Sequence, residues 1–152
     1  MKTEAAQVAT IIRKELKQAF PAIKFSVRSK NFTGGDSVDI YWTDGPTTTQ
    51  VNEITSRYQG GHFDGMIDLY IDGPKTKLPT AKFVHCHREI STAAFIATAT
   101  TLSQRFLVPL PLIIETKYGT AYIAPEHDYQ APTMGNRWFS QEVNGLAYNT
   151  EF

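Results

Sequence analysis

The chain has 152 residues, 41% hydrophobic and 20% charged, with a formal net charge of zero; this suits one folded domain with a real core and argues against wholesale disorder. A single cysteine, Cys86, leaves no internal disulfide framework and fits a reducing compartment. The polar N-terminus lacks a signal-peptide pattern, and the longest apolar run, Leu107 to Ile114, is interrupted by proline and too short to span a bilayer, so the expectation is a soluble intracellular domain without membrane contact.

Charge is unevenly placed along the chain: residues 1–30 carry +5, residues 31–80 carry −4 and the remainder −1. Ala5, Val8, Ala9, Ile12, Leu16, Ala19 and Phe20 fall on one helical face, predicting an amphipathic helix that Pro21 ends. Arg13, Lys14 and Lys17 line one flank of its exposed side. Residues 24–29 then alternate as a strand, with Phe25 and Val27 inward and Lys24, Ser26 and Arg28 outward, and Lys30 follows in a loop. Arg13, Lys14, Lys17, Lys24, Arg28 and Lys30 together make a candidate surface for phosphate or for a partner, adding salt-sensitive affinity for nucleic acid or a phosphorylated ligand. The plainer reading is a solvated face, which the neutral total favours. Phe32 could offer a stacking ring or fold back on the core.

The stretch from Gly34 to Asp68 is the most tightly specified. Val38, Ile40 and Trp42 alternate with Asp39 and Tyr41, the period-two signature of a half-buried strand. Gly34-Gly35 before it and Thr43-Asp44-Gly45-Pro46 after it are turn chemistry. Thr47 and Gln50 have capping-box spacing, and Val51, Ile54 and Tyr58 predict one face of a short helix. Gly60-Gly61 would close that helix in a left-handed cap, and Met66 to Ile71 would form the next strand, stopped by Asp72-Gly73-Pro74. Asp36, Asp44, Asp64 and Asp68 are either metal ligands or a base, or turn residues that accept backbone N–H groups; the lack of a histidine or lysine at fixed spacing favours the turns.

The run G-G-D-S-V-D-I-Y-W-T-D-G-P-T, then F-D-G-M-I-D after a short helix, resembles one of the large polyvalent protein-associated domains, number twenty-nine of that series. The preceding A-A-Q-V-A-T-I-I-R-K-E-L-K-Q-A-F-P-A-I-K-F-S-V-R-S is similar to the same family's opening helix and strand, and the resemblance covers about residues 5–90. It implies a phage or conjugative-plasmid setting and hence a bacterial cytoplasm. It implies no activity and carries over no catalytic residue.

Residues 75–80 read as a polar loop, and Lys82 to Arg88 as a strand with Phe83, His85 and His87 on one face and Val84, Cys86 and Arg88 on the other. Two imidazoles pointing the same way, with His62 and Asp64 as further ligands, are a candidate metal site, although two strand histidines more commonly make a half-exposed polar face. Cys86, on the opposite face, is a buried small residue rather than a nucleophile. Ser91 caps a predicted helix bearing Phe95, Ala99, Leu102 and Phe106, whose Thr92, Thr98, Thr100 and Thr101 weaken its intrinsic helicity. Pro109 and Pro111 break it, and Leu112 to Glu115 with Thr120 to Ile123 predict a hairpin. From Pro125 periodicity is lost, yet Tyr129, Trp138, Phe139, Tyr148 and Phe152 argue against disorder. This irregular arm either wraps its own domain or anchors a partner.

The expected fold is one α+β domain over residues 1–124, ordered α-β-β-α-β-β-α-β-β around a mainly antiparallel sheet with about three helices, followed by the arm at 125–152. No nucleophile elbow, P-loop, dinucleotide fingerprint or H-E-x-x-H occurs, and no cofactor is expected. The leading expectation is a non-enzymatic binding protein acting on a host protein or nucleoprotein complex, such as a restriction or CRISPR-type defence, where the acidic middle could mimic DNA phosphates. Alternatives are a nucleic-acid accessory module on the N-terminal basic flank, a sponge for a nucleotide signal, and a metal-dependent enzyme around His85 and His87. Homodimerisation stays open.

Overall fold

The computed structural model describes residues 3–74 and 77–152. In chain order it runs α1 (Glu4–Ala19), β1 (Ser26–Phe32), β2 (Gly35–Thr43), α2 (Thr48–Thr55), β3 (Gly61–Asp64), β4 (Leu69–Asp72), β5 (Phe83–Glu89), α3 (Thr92–Phe106), β6 (Ile113–Glu115), β7 (Ala121–Ile123) and α4 (Phe139–Asn149). The class is α+β. β1, β2 and β5 form a three-stranded sheet in that order, and β3–β4 and β6–β7 are separate antiparallel pairs. The Cα framework divides into two compact units, Met1–Trp42 with Thr48–Arg88, and Thr43–Thr47 with Glu89–Phe152.

In the first unit, the Thr3 hydroxyl accepts the Ala6 N–H and starts α1, satisfying one of the donors that a helix start leaves orphaned. Val8, Ile12 and Leu16 on its buried stripe meet Val27, Val38, Ile40, Trp42 and Val51 from the sheet and α2. Ala19, expected on that stripe, is exposed, because it lies in the last turn before Pro21. β1 and β2 pair antiparallel from Ser26–Tyr41 to Phe32–Gly35, closed by a two-residue turn in which Gly34 has φ of 96°. Lys30 therefore sits within β1 opposite Ser37 and not in a loop: the tight turn at Gly34 lets the ladder run to its end. β5 runs in the same direction as β2, since Asp36 near the start of β2 accepts from the Lys82 N–H just before β5, while Tyr41 stacks on His87 further along both strands.

Gly60 and Gly61 make no left-handed cap: the glycines with positive φ are Gly34, Gly45, Gly119 and Gly135. Instead Gly61 opens β3, where a Cβ would come within 2.2 Å of the Ile71 carbonyl oxygen, so the residue is needed for close strand approach. Met66 belongs to the turn of the β3–β4 hairpin and is 93% exposed, so the strand begins at Leu69. Asp64 accepts the Met66 N–H and Asp68 takes φ of 52°, both of them turn roles. Of the polar loop read over 75–80, Lys75 and Thr76 lie outside the described residues.

In the second unit Ser91 caps α3 as expected, its hydroxyl accepting the Ala94 N–H while its own N–H donates to Asp44, a turn residue at φ of 54°. Thr98, Thr100 and Thr101 return their hydroxyls to carbonyls one turn back. Phe95, Ala99 and Leu102 pack with Ile123, Met134, Phe139 and Val143 in this unit's core. The last two belong to α4, a fourth helix where only irregular chain was expected. Its buried residues are Phe139, Val143 and Ala147, with Leu146 partly buried beside them; Asn144 and Gly145 dilute the pattern, and tertiary packing against α3 supplies what propensity lacks. Asp128 accepts both the N–H and the hydroxyl of Ser140, pinning the first turn of α4. Among the described residues no helix is long and apolar enough to cross a membrane.

Candidate functional site

Alternation along the three-stranded sheet gives its two faces opposite fates. Val27, Val38, Ile40 and Trp42 are buried beneath α1, with Val84 and Cys86 packed beside them. The other face stays open and is built from Arg28, Lys30 and Phe32 on β1, Ser37, Asp39 and Tyr41 on β2, and Phe83, His85 and His87 on β5. Phe32 is 43% and Tyr41 39% exposed. The rings form two stacked groups. Phe32 lies 6.3 Å from Phe83, and Phe83 lies 5.8 Å from His85, with interplanar angles of 20° and 11°. Tyr41 stacks on His87 at 4.6 Å and 14°. Between them is a shallow hollow of about 520 Å³, floored by Ser37 and Asp39 and walled by Phe32, Phe83 and His85 at one end and Tyr41 at the other. That volume falls within the ~300–1,000 Å³ range of small-ligand sites.

The charges on this face are distinctive. Arg28 stands opposite Asp39 in the ladder, a pairing that usually makes an ion pair. Here its guanidinium lies over the Tyr41 ring instead, 5.8 Å from the centroid. Asp39 accepts the Ser37 hydroxyl at 3.1 Å and lies 3.5 Å from His87 Nε2. Neither Arg28 nor Lys30 has a carboxylate within 4.0 Å among the described residues.

The six basic residues singled out in the sequence separate into distinct places. Arg28 and Lys30 reach the open face. Arg13, Lys17 and Lys24 line a second hollow of about 380 Å³ with Ile23 and Phe25, and Arg13 donates to the Val27 carbonyl. Lys14 is exposed on α1. His85 and His87 are on the open face, their ring centroids 6.1 Å apart. His62 and Asp64, on β3, do not complete a ligand set with them, and no group of three or more His, Cys, Asp or Glu able to hold a metal ion occurs among the described residues. The reason is the β3–β4 hairpin: it forms its own two-stranded pair instead of extending the sheet. Of the arm aromatics, Phe139 is fully buried and Tyr129 packs on it, ring centroids 5.2 Å apart, whereas Trp138, Tyr148 and Phe152 remain 45%, 49% and 42% exposed. Sequence reasoning passed over Ser37, Asp39 and Tyr41 as site residues, although their alternation already placed Asp39 and Tyr41 on the polar face.

A larger hollow of about 790 Å³ is lined by Glu4, Asp36, Arg57, Tyr70, Asp72 and Lys82 among others, and its two cations are already in use. Arg57 pairs with Glu15 at 2.6 Å, and Lys82 donates to the Gly34 carbonyl beneath the Tyr70 ring. The Tyr58 hydroxyl also donates to Glu15, and burial, followed by that carboxylate, raises its pKa.

In comparison with known proteins, the family model for large polyvalent protein associated domain 29 matches residues 3–103, which takes in the first unit and most of α3. No curated protein and no solved structure matches.

Proposed function

We propose, from the premise that the chain belongs to the large polyvalent protein associated domain 29 family, that it is a non-enzymatic binding module of a mobile element whose open β1-β2-β5 face takes single-stranded nucleic acid. The observation that carries this reading is the co-location of stacked, solvent-facing rings with two cations, Arg28 and Lys30, that have no carboxylate within 4.0 Å among the described residues. Rings stack on the faces of unpaired bases, which a duplex hides, while the cations follow the phosphates. This is the accessory-module alternative, with the N-terminal basic flank narrowed to its two sheet residues, Arg28 and Lys30.

Fluorescence anisotropy with a labelled eight-residue oligouridylate tests it. Binding should weaken from 50 to 200 mM salt, and Arg28→Ala or Lys30→Ala should each reduce the salt slope by roughly one phosphate contact. Phe32→Ala and Tyr41→Ala should each lower affinity by roughly 5- to 100-fold, as loss of one base-stacking ring does. Absence of binding, or binding indifferent to both rings, overturns the reading.

A second reading, action on a host protein such as a defence complex, is supported by the half-exposed Trp138, Tyr148 and Phe152. It predicts capture of a specific protein from a nuclease-treated lysate that Trp138→Ala weakens. The nucleic-acid reading predicts that partners disappear with nuclease.

A further inference from the structure

Resting on the sheet-face reading, we infer that Asp39 is a base-selecting residue and that the hollow above it prefers guanine. A carboxylate on a surface that follows phosphates weakens binding unless it reads something that phosphates do not carry. Asp39 is placed for such reading. The buried Ser37 hydroxyl donates to Oδ2, and His87 Nε2 flanks Oδ1, so the group is held in position from two sides. Its cross-strand neighbour Arg28 lies over Tyr41 and leaves the carboxylate free of an ion pair from that side. Each carboxylate oxygen has more than one lone pair, so one hydrogen bond does not exhaust it.

An ionised carboxylate only accepts, and base edges differ in what they donate. Guanine presents its N1–H and its amino group side by side, two parallel donors that match the two oxygens. Adenine and cytosine each place a ring-nitrogen acceptor beside the amino group, which a carboxylate repels. Uracil has one N–H between two carbonyls. The ring walls from Phe32, Phe83 and Tyr41 accept any base, and Lys30, opposite Ser37, supplies the donor that guanine O6 needs. Stacking therefore sets affinity, and Asp39 sets the base.

The test uses the full chain and four labelled heptanucleotides, U3GU3, U3AU3, U3CU3 and U7. The guanine-bearing strand should bind roughly tenfold or more tightly than the other three, the scale of one bidentate pair. In Asp39→Asn the four affinities should converge to within about twofold. Asp39→Glu should keep a reduced guanine preference. Equal affinities in the unmodified protein overturn the inference and leave the sheet-face reading standing. A preference unchanged in a folded Asp39→Asn protein also overturns the inference. Failure of all four strands to bind overturns both.

Discussion

Cys86 and His85 are neighbours on β5, yet the strand pleat sends them to opposite faces and so to different chemistry. Cys86 points into the first core, where its sulfur sits 3.7 Å from the Thr55 hydroxyl. Burial raises the thiol above its ordinary value of 9, partly offset by the threonine hydrogen bond. At neutral pH it is a protonated, half-buried group, and the thiolate is the reactive form. A disulfide exchange reagent at pH 7 should label it more slowly than a free cysteine, with the rate climbing as pH passes above 9. Rapid stoichiometric labelling at pH 7 would contradict this. At this scale the sequence was largely readable, because period-two alternation sorts β5 into its two faces without any tertiary information. What alternation could not supply was the Asp39 geometry, since His87, which flanks its carboxylate and stacks on Tyr41, arrives from β5 on the other side of β2.

The individual elements differ in how much they owe to their own residues. Three glycines separate the cases. Gly61→Ala would drive a Cβ to 2.2 Å from the Ile71 carbonyl and 2.8 Å from the Tyr70 ring, so the β3–β4 pair must part. That variant should lose about 2 kcal/mol or more and lose amide protection in the hairpin, as read by denaturant unfolding and hydrogen exchange. Gly65→Ala, with nothing within 4 Å, should be near neutral. Gly145→Ala, inside α4 with open space around it, should gain about 0.5–1 kcal/mol because alanine holds helix better than glycine. A destabilised Gly145→Ala protein would mean that α4 is not formed as described. α1 declared itself through a broad apolar stripe ended by Pro21, and α3 through its Ser91 cap and its own apolar stripe. α4 did not, because its three buried side chains are too few to stand out beside glycine and asparagine.

Each unit of the molecule contains a tyrosine whose hydroxyl the fold makes harder to ionise. Tyr58 and Tyr70 in the first and Tyr129 in the second are all raised above 10, chiefly by burial, with Glu15, the Asp72 and Asp36 pair, and Asp128 adding to it respectively. A folded-state pKa above the unfolded one means that the folded chain holds the proton more tightly. The resulting stability is fully present below pH 10 and drains away as pH rises through the raised values. Denaturant midpoints should therefore be flat in this respect from pH 8 to 9.5 and fall beyond 10, in step with late phenolate absorbance. Midpoints unchanged to pH 11.5 would refute the assignment. Local order by itself determined the α+β class, the first and third helices, the strand faces and the family resemblance, because helical and strand periods are written in neighbouring residues. Only the tertiary structure decided that β5 lies beside β2, that β3 and β4 pair with each other, and that α4 forms against α3. Those outcomes depend on contacts between residues far apart in the chain, whose free energy no local pattern encodes. The candidate site belongs to this second class: its rings and cations were visible one by one, and only strand pairing gathered them on one surface.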